Sequence, residues 1–148
     1  MNAKRATVAG LVATAAVTLI WLLEPMVGLP RLAVGSMLSS FLAVATAYLS
    51  IGPAIGWAIH GLIGIGLAFV YAGAVADRLP GTPLTRGVLY GCAIFLLSQI
   101  TFMPLVGAGM FSRGDLPLLA GSLIGHLLYG TLVAVLYHDR SAAPPRAA

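Results

Sequence analysis

Two histidines inside long apolar segments are the residues of this sequence best suited to chemistry. His60 and His126 open the same pattern, His-x3-Gly-x3-Ala-x2-Tyr, at a constant offset of 66 residues. An imidazole surrounded by hydrocarbon needs a hydrogen-bond partner, a metal ion or a cavity. We therefore expect the two rings to meet near the middle of a membrane, either as a binding centre or as a contact that fixes helix packing.

Each histidine also belongs to a row of small residues spaced four apart. Residues four apart share one helix face, so each row lets a second backbone or a flat ligand approach closely. Rows packed on each other would leave no room between the imidazoles. Rows held apart would resemble the bis-histidine haem sites of membrane b-type cytochromes, with His60 and His126 as ligands of haem b. The sequence leaves both arrangements open. The rows are Gly52, Gly56, His60, Gly64, Ala68 and Ala72, and Ser122, His126, Gly130 and Ala134.

Gln99 is the other strongly polar side chain of an apolar segment, and Ser98 and Thr101 flank it. Together with the two histidines, Gln99 would form a polar layer suited to a small molecule, an ion or a proton. Hydrogen bonding between helices is the alternative role of the same three side chains.

The four acidic residues lie at predicted helix ends rather than in mid-membrane. Paired carboxylates for general acid–base catalysis are therefore missing. We expect neither an enzyme nor a carboxylate-coupled transporter. The four residues are Glu24, Asp77, Asp115 and Asp139.

Sulfur-containing residues give a weaker indication of metal chemistry. Four methionines fall on the predicted outer side, and thioethers near imidazoles favour copper(I). Their spacing contains no Met-x-x-Met pattern, and methionine is a common apolar filler, so the sequence does not favour a copper site. The single cysteine, Cys92, excludes an intrachain disulfide and a cysteine-cage metal site. The methionines are Met26, Met37, Met103 and Met110.

The elements that position these side chains must be membrane helices. The 148 residues are 59% hydrophobic and 8% charged, with a mean hydropathy of +0.99, whereas about 25% of the residues of a soluble chain are charged. The eight basic residues are scattered along the chain, so they indicate membrane topology rather than nucleic-acid binding.

Charge distribution decides how many times the chain crosses the bilayer. The segment 32–50 is uncharged and long enough for a fifth span, but five spans would place most basic residues outside, against the positive-inside rule. We therefore predict four spans, both termini in the cytoplasm, a short helix at 32–50 on or re-entering the outer side, and a disordered tail at 141–148. The predicted spans are 6–23, 51–76, 87–103 and 116–137, all within one integral membrane domain, 1–148.

The two halves of the chain resemble each other. Besides the histidine motifs, the pattern Pro-x-Val-Gly occurs at 25–28 and again at 104–107, after the first and third spans. Because each half is one helical hairpin, a duplication would leave both copies pointing the same way across the membrane. The sequence thus predicts a tandem repeat related by a pseudo-two-fold axis along the membrane normal.

Four short sequences resemble those of a known group of proteins. They are AGLVAT at 9–14, GWAIH at 56–60, RG at 86–87 and GHLLYG at 125–130. They resemble a family of small bacterial integral membrane proteins that is classed only as a domain of unknown function, and the resemblance covers nearly the whole chain. It implies four helices in the bacterial inner membrane and supplies no activity.

These observations predict an all-α bundle of four transmembrane helices with an extra outer helical segment. As its function we expect a scaffold, accessory or transport-related membrane protein whose polar layer holds helix register or binds a small ligand. A haem- or metal-binding protein with paired histidine ligands is the alternative. The partners we expect are the lipid bilayer and a second copy of the chain or another membrane protein, and we expect no nucleic acid.

Overall fold

The computed structural model describes residues 1–28, 33–46 and 53–138, and every regular element in this part of the chain is helical. Parts of the predicted outer segment, 32 and 47–50, and the predicted tail, 141–148, lie outside the described residues. The α-helices are α1 Ala3–Leu23, α2 Val34–Thr46, α3 Pro53–Val70, α4 Pro83–Leu97, the single turn α5 Met103–Leu105, and α6 Leu116–Tyr137. Single π-helical turns, Tyr71–Val75 and Ser98–Phe102, extend α3 and α4, and short 3₁₀ helices form at Glu24–Val27 and Met110–Gly114.

Four continuous helical stretches are long and apolar enough to cross a membrane. They contain 22 to 25 residues, which at 1.5 Å per residue reaches roughly 33 Å or more, about the thickness of the hydrocarbon core. The prediction of an all-α bundle of four membrane-spanning helices is confirmed. The stretches are Ala3–Val27, Ala54–Val75, Pro83–Leu105 and Leu116–Tyr137.

Local sequence explains where these helices begin. The side chains of Asn2, Thr82 and Asp115 accept hydrogen bonds from the backbone N–H groups three residues later, at the starts of α1, α4 and α6. Each bond satisfies one of the donors that a helix start leaves unpaired. Prolines occupy the first turns of α4 and α6, where the missing N–H costs nothing.

The order of helix packing leaves the bundle open along one side. Helix α1 packs against α3 and α6, α6 packs against α4, and α2 packs against α3. Within the described residues, α3 and α4 make little direct contact. Helix α1 stops and helix α3 starts on the same side of the bundle, which we call the α2 end. We call the opposite side, where α1 starts and α6 stops, the terminal end.

Helix α2 lies against α3 and turns one face toward the inside of the bundle. Val34, Leu38 and Ser39 are buried on this face, whereas Phe41 is exposed. The predicted outer helical segment thus includes a packed helix. The close approach of α2 to α3 depends on Gly35 and Gly56, because a methyl group at either glycine would collide with the other helix.

Candidate functional site

His60 and His126 line one cavity inside the bundle. The cavity has a volume of about 240 Å³ and is bordered by α1, α2, α3, α4 and α6. His60 is the seventh of 22 residues in the stretch Ala54–Val75, and His126 is the eleventh of 22 in Leu116–Tyr137. The structure therefore brings the two sequence-predicted histidines to the same internal space.

His126 is held in one orientation by its own helix. Its Nδ1 lies 2.7 Å from the carbonyl oxygen of Ser122 and 3.4 Å from the hydroxyl oxygen of the same residue. A carbonyl oxygen only accepts hydrogen bonds, so Nδ1 must carry the hydrogen when the ring is neutral. The other ring nitrogen, Nε2, is then an acceptor.

Gln99 is completely buried and connects the histidine to a neighbouring loop. Its Nε2 donates to the hydroxyl of Ser122 over 3.0 Å, and its Oε1 accepts a hydrogen bond from the hydroxyl of Ser112 over 3.2 Å. The polar layer therefore runs from Ser112 through Gln99 and Ser122 to His126. We call these four residues the glutamine network.

The π-helical turn of α4 lies where Gln99 enters the core. The turn Ser98–Phe102 ends two residues before Pro104, whose ring disfavours a regular α-helical turn with the carbonyl four residues earlier. Gln99 faces the core, while Ser98 and Thr101 line the cavity. A π-turn of this kind is frequent at functional sites.

Ser112 reaches Gln99 from a backbone that the sequence did not indicate. Phe111, Ser112 and Arg113 all have φ near +50°, the left-handed conformation, which costs roughly 1–2 kcal/mol per residue for side chains other than glycine. Gly109 and Gly114 flank the turn with φ of 79° and 82°. The glycine-rich sequence around this turn is the only signal that sequence analysis could have used.

His60 has aromatic neighbours but no hydrogen bond within the described residues. Its ring centroid lies 5.4 Å from that of Trp21 and 5.8 Å from that of Trp57. Its Nε2 is buried and has no hydrogen-bond partner. A buried polar group without a partner is costly, and this nitrogen distinguishes His60 from the other described polar side chains around the cavity.

The small-residue rows pack inside their own hairpins rather than on each other. A methyl group at Gly10 of α1 would lie 2.9 Å from the Cα of Ile65 in α3, and one at Gly87 of α4 would lie 2.7 Å from the Cα of Thr131 in α6. The glycine faces of α3 and α6 are thus filled by neighbouring backbones. They do not offer a flat macrocycle the glycine-lined space that the haem alternative requires.

The size and side chains of the cavity also fit haem and metal ions poorly. Pockets for drug-sized ligands usually measure about 300–1,000 Å³, and a porphyrin is larger than most such ligands. In the described ranges no group of three or more His, Cys, Asp or Glu side chains could hold a metal ion. Of the four methionines, Met37 and Met103 line the cavity, while Met26 and Met110 are exposed.

Two tyrosine hydroxyls join α3 to the rest of the bundle on the side of the cavity toward the terminal end. The hydroxyl of Tyr129 in α6 donates to the carbonyl of Gly64, and that of Tyr90 in α4 donates to the carbonyl of Leu67 over 2.7 Å. The sequence indicated packing of Tyr129 beside the histidines but neither of these hydrogen bonds. The bonds connect α3 to α4 and α6 next to the cavity.

Glu24 is buried beside α6 at the α2 end. Both of its carboxyl oxygens are buried without a hydrogen-bond partner in the described residues. A methyl group at Gly121 would lie 2.6 Å from Oε1, so the glycine provides the space that the carboxyl group occupies. The sequence placed Glu24 at a helix end but did not indicate that it is buried.

The third histidine, His138, lies at the terminal end and does not line the cavity. Its Nε2 is 3.5 Å from Nη1 of Arg86, which also donates to the carbonyl of Ala76. Burial and the positive charge of Arg86 lower the pKa of His138 below its ordinary value, and Asp77 opposes this effect. His138 therefore belongs to the polar surface of the bundle.

Comparison with known proteins establishes a family without an activity. The whole chain, residues 1–148, matches the model of a family described as a family of unknown function, DUF6789. No curated protein and no solved structure matches the chain. The resemblance to membrane proteins of unknown function is confirmed by this match and by the four apolar helices. The chain is a member of this family of unknown function, DUF6789, and has the helices of a membrane protein.

Proposed function

We propose that this protein binds a small lipophilic molecule from the bilayer in the cavity between its helices. The observation that carries the proposal is the buried Nε2 of His60, which faces no partner in the described chain while its ring lines the same cavity as His126. Of the functions expected from the sequence, this is the ligand-binding, transport-related one.

The lining of the cavity supports an uncharged ligand. None of the described residues that line it is Lys, Arg, Asp or Glu, and most are apolar. Sites for small molecules typically combine apolar walls with a few placed polar groups. The polar groups here include both imidazoles and the hydroxyls of Ser98 and Thr101.

The side of the bundle at which α3 and α4 diverge supports entry from the lipid. Ile63 of α3 and Leu97 of α4 both line the cavity, yet their side chains are 43% and 57% exposed. These two exposed side chains place the edge of the cavity next to the outside of the bundle. A lipophilic molecule would therefore enter between these two side chains without crossing water.

A tandem repeat would explain why the cavity lies on that side. In each hairpin, a glycine of the first helix packs against three residues of the second helix: a glycine, the residue after it, and an alanine. These three residues of α3 and their counterparts in α6 are 66 positions apart in the sequence. A two-fold axis would relate the contact of α1 with α6 to a contact of α4 with α3, and that second contact is nearly absent within the described residues. The broken symmetry leaves the space. The matched sets are Gly10 with Gly64, Ile65 and Ala68, and Gly87 with Gly130, Thr131 and Ala134.

We further infer a bacterial inner-membrane location with the terminal end in the cytoplasm, because six of the eight basic residues would then lie on the cytoplasmic side. The α2 end would face outward. The protein would bind its ligand without catalysing a reaction, since the cavity contains no acid–base pair of carboxylates. We also propose that the protein contacts lipid and either a second copy of the chain or another membrane protein.

Quenching of tryptophan fluorescence tests the proposed function. Trp21 lines the cavity and Trp57 contacts His60, and the chain has no other tryptophan. We expect 4-bromophenol, whose bromine quenches indole emission, to quench saturably in detergent-solubilised protein.

Two matched variants control this experiment. Ser98→Phe fills the cavity from α4 and should abolish saturable quenching, whereas Ala93→Phe, on the exposed face of the same helix, should retain it. Equal quenching of native protein and Ser98→Phe would overturn the proposal. A Soret absorbance band in the purified protein, lost in both His60→Ala and His126→Ala, would instead establish the haem alternative.

A further inference from the structure

We infer that the ligand is a neutral ring with a hydroxyl group and an apolar tail, a phenol or hydroquinone-type lipid. This inference rests on the proposed function and adds the chemical class of the ligand. It follows from the hydrogen-bonding state of His126, the shape of the cavity and the position of its opening.

His126 requires a donor from its ligand. Because the carbonyl of Ser122 fixes the hydrogen on Nδ1, Nε2 offers only a lone pair. The contact of Nδ1 with the carbonyl of Ser122, at 2.7 Å, is much shorter than its 3.4 Å contact with the hydroxyl that accepts from Gln99, so the carbonyl decides this state. A ligand with only acceptor groups, such as an ester or an ether, would leave the nitrogen without a hydrogen bond.

The walls of the cavity favour a flat ring. Trp21, Phe102 and Tyr129 contribute aromatic surface from three different elements, and aromatic rings prefer offset or edge-to-face contacts with other rings. An engineered cavity of roughly 150 Å³ binds benzene. The volume of about 240 Å³ therefore accommodates one ring with short substituents, but not a fused polycycle with long branches.

The opening between α3 and α4 gives the tail its direction. Ile63 and Leu97 border the opening and are partly exposed, so a substituent that leaves the ring there passes directly into the bilayer. The ligand would thus place its hydroxyl at the histidines and its apolar tail among the acyl chains. The lining, which is uncharged in the described residues, is compatible with both the hydroxyl end and the apolar end of such a molecule.

The second imidazole provides the other contact of the hydroxyl group. A hydroxyl donates one hydrogen bond and accepts two. It can donate to Nε2 of His126 and still accept from Nε2 of His60, if the His60 ring carries its hydrogen there and turns this buried nitrogen toward the cavity. This arrangement would remove the one buried ring nitrogen that has no partner in the described residues.

A pair of probes that differ by one methyl group tests the inference. 4-Bromophenol and 4-bromoanisole have the same ring and the same quenching bromine, but only the phenol can donate a hydrogen bond. A hydrogen bond to Nε2 of His126, which accepts none from the described chain, makes binding of the phenol about tenfold tighter or more. In His126→Phe, which keeps an aromatic ring but removes the acceptor, the two probes should bind equally.

Each outcome separates the inference from the proposed function. Saturable binding of both probes with equal affinity in the native protein would retain the cavity as a binding site and overturn the hydroxyl requirement. Binding of neither probe would overturn the proposed function itself. A preference for the phenol that persists in His126→Phe and disappears in His60→Phe would show that the assignment of the acceptor to His126 is wrong.

Discussion

Substitution of Gly91 by alanine tests the close packing of α4 on α6 behind the cavity. A methyl group at this position would lie 2.6 Å from the carbonyl oxygen of His126 and 2.9 Å from the Cα of Leu127. Carbon atoms in favourable contact are about 3.5–4.0 Å apart, so the two helices must separate by up to about 1 Å. Both obstacles are backbone atoms, and no change of rotamer can relieve the collision.

The loss in the free energy of unfolding follows from the contacts that this separation weakens. A radial gap of about 0.5–1 Å forfeits a quarter to a half of each dispersion contact, and overpacked sites lose roughly 1–3 kcal/mol. Gly66→Ala is the matched control, because it lies in helix α3 and a methyl group there has no neighbour within 4 Å. Both variants gain the same helix propensity, about 1 kcal/mol, so the collision alone sets the difference between them.

Thermal unfolding in detergent, followed by circular dichroism, measures this difference. At about 2–4 °C per kcal/mol for a chain of this length, Gly91→Ala should melt about 2–12 °C below Gly66→Ala. Melting temperatures within one degree of each other would refute the close contact of α4 with the backbone of His126.

Three further substitutions have expected effects on stability. Gln99→Leu should destabilise the bundle by about 1–3 kcal/mol in the same thermal assay, because the buried hydroxyls of Ser112 and Ser122 both lose their hydrogen bond to the amide; an unchanged melting temperature would show that the network is not formed. Glu24→Gln should raise the melting temperature, since it removes a buried charge that has no partner in the described chain, and a clear loss of stability would reveal a partner for that charge. Burial and Arg86 lower the pKa of His138, with Asp77 opposing. The unfolded chain therefore binds more protons than the folded one once the pH falls below about 6.5, the ordinary value for histidine. Stability should fall more steeply from pH 8 to pH 5 in the native protein than in His138→Gln, and parallel pH profiles would contradict this account.

The sequence was sufficient to predict the helices and the placement of Gln99, His60 and His126 inside the bundle. Uncharged runs of span length can satisfy their backbone groups in lipid only as helices or closed barrels, and the spacing of small residues favoured helices. The burial of Gln99 and the location of both histidines in one cavity agree with the rule that ionisable and polar side chains in membranes face the interior.

The partners of the small-residue rows could not be predicted in the same way. A row such as that of Gly64 and Ala68 identifies a face that permits close approach, but not the helix that approaches it. The structure places α1 against this face. This choice depends on the packing of the whole bundle, and it decides whether a cavity or a contact lies between the imidazoles.

Two buried polar groups depend on backbone details that the sequence does not reveal. Ser112 reaches Gln99 because three consecutive residues adopt positive φ, and neither Phe111 nor Arg113 favours that conformation. Glu24 is buried because Gly121 of another helix leaves room for it. Both are contacts between distant parts of the chain.

The most direct test of the account is the position of bromine in crystals of the protein soaked with 4-bromophenol, located by anomalous scattering. We expect one bromine peak between α3 and α4 at the opening bordered by Ile63 and Leu97, with the hydroxyl group at hydrogen-bond distance from Nε2 of His126. Bromine found only on the outer surface of the helices, or side chains that fill the space between the two imidazoles, would contradict it.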